Sequence, residues 1–543
     1  MLIKTYGAAM QGIDATVVTI EISARQGVNF ALVGMADTAV RESHHRVVSA
    51  LTQSGYSWPR RNIVVNLSPA DVRKEGAAYD LPIALGTLAA SEQIQCLRPT
   101  ESFMIMGELS LDGSVLPIRG VLPMAIKARE IGFRGIIVPK ANESEAAVVN
   151  NLEVYGVSSL DEVVKFFTGA IDLTPAKCNT REEFARASTL FDCDFSEVKG
   201  QEQVKRALEV ACAGGHNILL IGPPGAGKSM MAKRIPTILP PLTLSEALET
   251  TKIHSVAGSL KSGSRLMTAR PYRSPHHTIS SVALVGGGST PHPGEISLAH
   301  NGVLFMDEFP EFSRQVLEVM RQPLEDRHIT VARSKYTIDY PASFMLVASM
   351  NPCPCGYYNH PTKECTCAPG AVQKYLNRIS GPLLDRIDLQ VEILPVPFDS
   401  LIDRRPAEPS ADIRARVISA RQIQSIRYAA ERGIHCNAQM NHRLLQTHAS
   451  ISAEGTDVLR DTMARLDMSA RAYDRILRVA RTIADLEYAT LTLQPTSSTD
   501  PAGSSAPMTL AEAASAPILT HHLYEAISYR NLDRASWGTT LSK

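Results

Sequence analysis

The residues best equipped to do chemistry form a loop, Gly222-Pro-Pro-Gly-Ala-Gly-Lys-Ser229, that fits the pattern G-x-x-x-x-G-K-[ST] in full. The apolar run Ile218–Ile221 precedes it and a helical pattern over Ser229–Ile235 follows, which is the strand–loop–helix setting a phosphate cradle requires. In such a loop of Gly222, Pro223, Pro224, Gly225, Ala226 and Gly227 the glycines let the backbone N–H groups of the non-proline residues curl around phosphate, and the helix N-terminus adds partial positive charge. Lys228 supplies a point charge for the β- and γ-phosphates, and Ser229 a hydroxyl for Mg²⁺. The ligand this predicts is ATP with Mg²⁺.

An acidic partner is expected at the end of another buried strand. Val303–Met306 is a four-residue apolar run ending in Asp307 and Glu308. Asp307 is placed to hold Mg²⁺ through water, and Glu308 to orient and activate the attacking water. A third apolar run, Phe344-Met-Leu-Val-Ala-Ser-Met, ends in Asn351, whose amide can reach the γ-phosphate or that water.

These groups must be held by a sizeable α/β framework, and the chain has one. It has 543 residues, with 55 Lys and Arg against 55 Asp and Glu, so its formal net charge is zero. A basic coat protein and an acidic disordered chain are thereby excluded, and nucleic-acid binding must come from local patches. Hydrophobic residues make up 44% and charged residues 20%, the profile of a globular chain. No apolar run approaches the roughly 18 residues of a membrane span, and the first residues lack a secretion signal. A cytoplasmic location without membrane contact is the expectation. Nine cysteines in a chain of this length make no disulfide scaffold.

Four regions are expected. Residues 1–167 alternate strand patterns (15–22, 30–33, 62–67, 103–106, 135–138) with helical ones (39–54, 81–91, 121–131, 144–149). Residues 168–196 read as a linker. Residues 197–397 carry the phosphate loop. Residues 398–543 are helical, with patterns at 413–432, 453–466, 470–486 and 521–530 and a Ser/Thr/Ala/Pro-rich flexible insertion at 490–516.

The order of the three strand-end elements resembles an AAA+ ATPase, and the Asp307-Glu308 pair favours a hydrolysing motor over a nucleotide switch. The resemblance implies an arginine finger offered to a neighbouring subunit, for which Arg386 in Ile379-Ser-Gly-Pro-Leu-Leu-Asp-Arg-Ile-Asp388 is the candidate. The plainer reading is a structural pairing with Asp385 or Asp388. Ser469-Ala-Arg-Ala-Tyr-Asp-Arg475 resembles a sensor-2 helix, with Arg471 the candidate and Arg475 and Arg478 its competitors. Arg270-Pro-Tyr-Arg-Ser-Pro-His-His277, the run 293–308 and Ser380-Gly-Pro-Leu-Leu-Asp-Arg-Ile-Asp-Leu389 resemble magnesium-chelatase-like AAA+ proteins of the YifB/ComM type along nearly the whole chain. The resemblance implies an N-terminal Lon-protease-like α/β domain of the ribosomal S5 domain 2-like fold, a central AAA+ P-loop α/β module and a C-terminal α-helical lid. It also implies a homo-hexameric DNA helicase that promotes branch migration on single-stranded or branched DNA during natural transformation.

Lon-type proteolysis needs a Ser activated by a Lys. In the stretches that resemble those loops, Ala78 stands at the Ser position and Leu122 at the Lys position, so a platform without peptidase chemistry is expected. Arg60-Arg61 beside Trp58 is either a phosphate contact or a solvated turn. Cys353-Pro-Cys355 and Cys365-Thr-Cys367 can hold one structural Zn²⁺ with four thiolates, although one-residue spacing is tighter than usual. Unliganded, reduced cysteines are the alternative.

Two insertions offer DNA contacts. One spans about residues 260–293 with Lys261, Arg265, Arg270 and Arg273, and the other is a hairpin at 329–338 with Arg333 and Lys335 at its tip. His276 and His277 read as structural residues more readily than as metal ligands. A chelatase motor subunit and a protein-remodelling ATPase are the competing functions. The N-terminal domain and the cysteine loop favour the DNA motor, because chelatase motor subunits resemble only the core.

Overall fold

The computed structural model describes residues 1–177, 191–260, 263, 265–288, 291–333, 336–396, 405–431, 433–466, 468–493 and 508–530. The N-terminal region is built on a seven-stranded sheet. Its spatial order is Phe30–Val33, Asn62–Ser68, Asp14–Arg25, Leu2–Gln11, Phe103–Ile105, Gly135–Pro139 and Glu153–Val157. Leu2–Gln11 and Asp14–Arg25 form an antiparallel hairpin from Leu2↔Ser23 to Gln11↔Asp14, closed through Gly12 at φ +65°. Neither Leu2–Gln11 nor Glu153–Val157 was expected, because their apolar residues lack a clean period of two. The helix Asp80–Ala90 is buried on every side, as its continuous apolar composition requires.

The phosphate-loop region holds a five-stranded, all-parallel sheet in the spatial order Tyr272–Arg273, Val303–Met306, Met345–Met350, Ile218–Ile221 and Leu389–Glu392. Alternate residues of each strand enter different cores. Leu220, Phe305 and Val347 pack toward the C-terminal helices, whereas Leu219, Leu304 and Leu346 pack toward the inserted elements. Burial on both faces explains why these strands read as continuous apolar runs.

The second insertion is the hairpin His328–Arg333 with Tyr336–Pro341. Its stem leans on the N-terminal region: a Cβ at Gly12 would lie 2.7 Å from Ile338 Cγ2. Lys335 and the Arg333 side chain lie outside the described residues, as does Lys261.

The C-terminal helices Ser410–Arg427, Ala453–Leu466, Ala470–Leu493 and Thr520–Ser528 share one core with the phosphate-loop region. Two expectations are corrected here. The stretch 490–516 is not flexible throughout: Ala470–Leu493 extends into it, and Leu510–Ser515 is a helix with a Thr509–Glu512 capping box that buries Ala513. Residues 494–507 lie outside the described residues. Nor is 168–196 wholly a linker. Ala176 donates its N–H to Val154 O at 2.8 Å, while Phe195 is buried and donates its N–H to Ser410 Oγ at 2.8 Å. Both packings were hidden because the apolar residues of these stretches are irregularly spaced among polar ones and follow no period. No described helix is long and apolar enough to cross a membrane.

Candidate nucleotide site and cysteine loop

The phosphate loop joins the end of Ile218–Ile221 to the helix Lys228–Ile238. Gly225 and Gly227 hold φ of +81° and +88°, which side chains rarely adopt. A Cβ on Gly222 would lie 2.6 Å from Ile393 O. Lys228 Nζ donates to Gly222 O at 2.7 Å, Pro223 O at 3.0 Å and Asn351 Oδ1 at 3.1 Å. Burial lowers the Lys228 pKa, and Asp307 and Glu308 oppose that shift.

Ser229 donates its hydroxyl to Asp307 Oδ2 at 2.7 Å. Asp307 Oδ1 accepts from the Ser349 hydroxyl and, at 3.0 Å, from the Glu308 N–H. Ser349 is a positioning group the sequence reading missed; a polar residue inside the apolar run Met345–Met350 is the signal that marks it. Glu308 sits at φ +52°, a left-handed conformation costing about 1–2 kcal/mol, with its carboxylate exposed. His277 Nδ1 lies 3.4 Å from Glu308 Oε2, so one of the two histidines touches the proposed general base. The oxygens of Ser229 and Asp307, adjacent and turned toward Lys228, fit the hard-oxygen shell Mg²⁺ takes alongside phosphate.

The candidate arginines gather at the opposite end of the same sheet. Asp388 immediately precedes the strand Leu389–Glu392 and accepts from the Asn217 N–H at 2.8 Å, the residue before Ile218–Ile221. Burial pushes the Asp388 carboxyl up, but Arg475 and His216 pull it well below the usual carboxylate range. Arg475 also donates to Asp385 O at 2.8 Å. Arg386 donates to Pro382 O at 2.8 Å and to Glu325, rather than to Asp385 or Asp388. The Arg386 hydrogen bond holds the Glu325 carboxyl below its ordinary range, and the charges of Arg471 and Arg475 add to this. Arg471 is exposed. Five residue steps of strand, roughly 15 Å, therefore separate these groups from the chain's own phosphate loop.

Two of the first insertion's three arginines, Arg270 and Arg273, are held by carboxylates of this chain, against the expectation that they serve DNA. Arg270 donates to Pro240 O and Asn301 O at 2.7 Å and pairs with Glu246, leaving its side chain 13% exposed. Arg273 makes a two-point pair with Glu295, both contacts at 2.6 Å. Trp58 likewise packs against Phe30 and His44, and Arg61 pairs with Glu92.

Where a protease dyad would stand, Ala78 lines a cavity of about 1070 Å³ between the N-terminal region and the phosphate-loop region. Leu122 is fully buried, and its backbone N–H donates to Glu145 Oε1 at 2.9 Å. That carboxylate oxygen also accepts from the Ser255 hydroxyl, so the Leu122 position has become part of a joint between regions.

The four sulfurs of Cys353, Cys355, Cys365 and Cys367 lie within 4.8 Å of one another. One-residue spacing within each pair does not prevent convergence, because the intervening loop folds the pairs together.

Comparison with known families and proteins adds the following. The family described as "Magnesium chelatase, subunit ChlI" matches residues 194–401. "Subunit ChlI of Mg-chelatase" matches 19–142, and "Magnesium chelatase, subunit ChlI C-terminal" matches 407–495. The chain is 41% identical over 529 residues to YifB of Escherichia coli K12, covering 97% of this chain and 96% of that protein. It is 41% identical over 492 residues to the competence protein ComM of Haemophilus influenzae, covering 90% of this chain and 95% of that one. An archaeal Lon protease of Thermococcus kodakarensis is 32% identical over 95 residues, 17% of this chain.

Proposed function

This chain belongs to the magnesium-chelatase-like AAA+ family of the YifB/ComM type, and from that premise we propose that it is a ring-forming DNA motor driven by ATP hydrolysis. It is an ATPase of its family, using ATP and Mg²⁺. On our reading Lys228 neutralises phosphate charge, Ser229 and Asp307 hold Mg²⁺, Asn351 orients the γ-phosphate and Glu308 activates water. Bound Mg²⁺ supplies charge stabilisation at the phosphates. The residues of the chain bind, orient and take the water's proton.

The observation that carries the ring is the placement of Arg386 and Arg471 at the sheet end remote from Lys228. In a closed ring, here six copies, each site is completed by its neighbour's arginines. The relative named as a competence protein supports DNA as the client, as does the branch-migration activity that the family resemblance implies. The N-terminal region does not separate this reading from a chelatase motor, since a ChlI family also matches 19–142. Near-full-length similarity to a competence protein favours DNA. The cytoplasm is the compartment this activity requires.

The test is ATP hydrolysis with and without single-stranded and branched DNA, with Glu308→Gln as the blank. Stimulation by DNA that the variant abolishes is the expected result. Hydrolysis that depends on Glu308 but ignores both DNAs would overturn the DNA reading and leave the ATPase.

A further inference from the structure

The cysteine loop begins two residues after Asn351 and returns to the phosphate loop. Cys353 Sγ lies 3.3 Å from Cys355 Sγ and 3.7 Å from Cys365 Sγ, and Cys355 Sγ lies 3.5 Å from Cys365 Sγ. A tetrahedral Zn²⁺ with sulfur at about 2.3 Å sets its ligands about 3.8 Å apart, close to these edges. Disulfides need sulfurs at about 2.05 Å, so the arrangement is not that of two bridges. A backbone N–H also points at one of the sulfurs: Tyr358 donates to Cys353 Sγ at 3.3 Å. A donor of this kind suits a thiolate rather than a thiol. Cys353 is fully buried, which leaves a cluster of sulfurs with one inner and three half-buried members.

The knuckle carrying the first pair touches the nucleotide loop directly. Gly356 holds φ +84°, and a Cβ there would lie 2.6 Å from Pro224 Cδ. Its N–H donates to Cys353 O at 3.0 Å, closing the turn around the sulfurs.

We propose that Cys353, Cys355, Cys365 and Cys367 bind one Zn²⁺ as a tetrathiolate, and that the metal holds Gly356 against Pro224 so that zinc occupancy sets nucleotide affinity. Each thiol releases its proton to water as its sulfur takes the metal, and no redox step is involved. The zinc site stands independently of the nucleotide reading, while the coupling rests on it.

The first measurement is the metal content of the purified full chain, with zinc released by a mercurial and detected by a chromogenic chelator. About one zinc per chain is expected, and its loss in the double variant Cys355→Ser/Cys365→Ser. A metal-free chain with four titratable thiols in this loop overturns the site. Affinity for a fluorescent ATP analogue with Mg²⁺ is then compared before zinc removal, after it, and after zinc is restored. A reversible weakening of about tenfold or more is expected. Gly356→Ala, which keeps all four sulfurs, should keep zinc and lose affinity. Unchanged affinity in the stripped chain and in Gly356→Ala overturns the coupling. A zinc-loaded wild-type chain that fails to bind the analogue overturns the nucleotide reading and leaves the zinc site standing.

Discussion

Ser229 and Asp307, 78 residues apart in sequence, meet at 2.7 Å through one hydroxyl–carboxylate hydrogen bond. Ser349 holds the other oxygen of the same carboxylate. The pair presents two hard oxygens beside Lys228 with their positions fixed before a metal arrives. Ser229→Ala is therefore expected to lower kcat about a hundredfold or more at saturating Mg²⁺. Nucleotide affinity measured without Mg²⁺ should be little changed. Equal loss in both measurements would assign Ser229 to loop folding instead.

Arg386 and Lys228 lie at opposite ends of one sheet, so they belong to different active sites if both act on nucleotide. Arg386→Ala and Lys228→Ala chains should each be inactive alone. Mixed and reassembled, they should regain part of the hydrolysis, because some interfaces pair an intact Lys228 with an intact Arg386. Verified mixed assemblies without activity would remove Arg386 from the finger role.

Asp388 is buried between Arg475, His216 and the Asn217 N–H. Asp388→Ala leaves the Arg475 charge without its carboxylate partner and is expected to cost about 3–5 kcal/mol, read from guanidinium unfolding of the ATP-binding region. Its folded pKa is lowered, so its contribution is complete above the unfolded value of about 3.9 and is lost only as the pH falls further, toward the folded value. Between pH 7 and 8 the difference between wild type and Asp388→Asn should stay flat, because Asp388 is ionised throughout and the buried His216, its pKa lowered by desolvation against the pull of Asp388, titrates only below that window. A difference that shrinks between pH 8 and 7 would contradict this pairing.

Ala78→Ser restores a hydroxyl at the edge of the 1070 Å³ cavity. No amine accompanies it, since Leu122 is buried and its N–H is engaged by Glu145. No peptidase activity on an unfolded protein substrate is expected from this variant. Glu145→Ala, in contrast, leaves the Leu122 N–H and the Ser255 hydroxyl without their acceptor. It should lower thermal stability by about 1–3 kcal/mol. Peptidase turnover by Ala78→Ser, or an unaltered melting curve for Glu145→Ala, would contradict this account of the joint.

The nucleotide elements could be read from the chain alone because each is local. Gly222–Ser229 is a contiguous loop whose glycines have conformational work to do. Asp307, Glu308 and Asn351 follow apolar runs that could only be buried parallel strands. The strands Phe30–Val33 and Val303–Met306 and the helices Val121–Ile131 and Ala453–Leu466 carry clear composition or periodicity, so their bounds were legible as well. Leu2–Gln11 was not, because its fit depends on a partner strand rather than on its own pattern.

What only the tertiary structure decided concerns direction and distance. Composition cannot show whether an arginine faces solvent or a carboxylate, and folding committed Arg270 to Glu246 and Arg273 to Glu295. Sequence order cannot give the sheet end on which a residue lies, so the separation of Arg386 from Lys228 emerged only once parallel strands were stacked. The convergence of four sulfurs and the contact of Gly356 with Pro224 belong to the same class. The physical reason is common to all of them. Local chemistry is written in neighbouring residues, whereas long-range pairing depends on which surfaces the buried cores bring together.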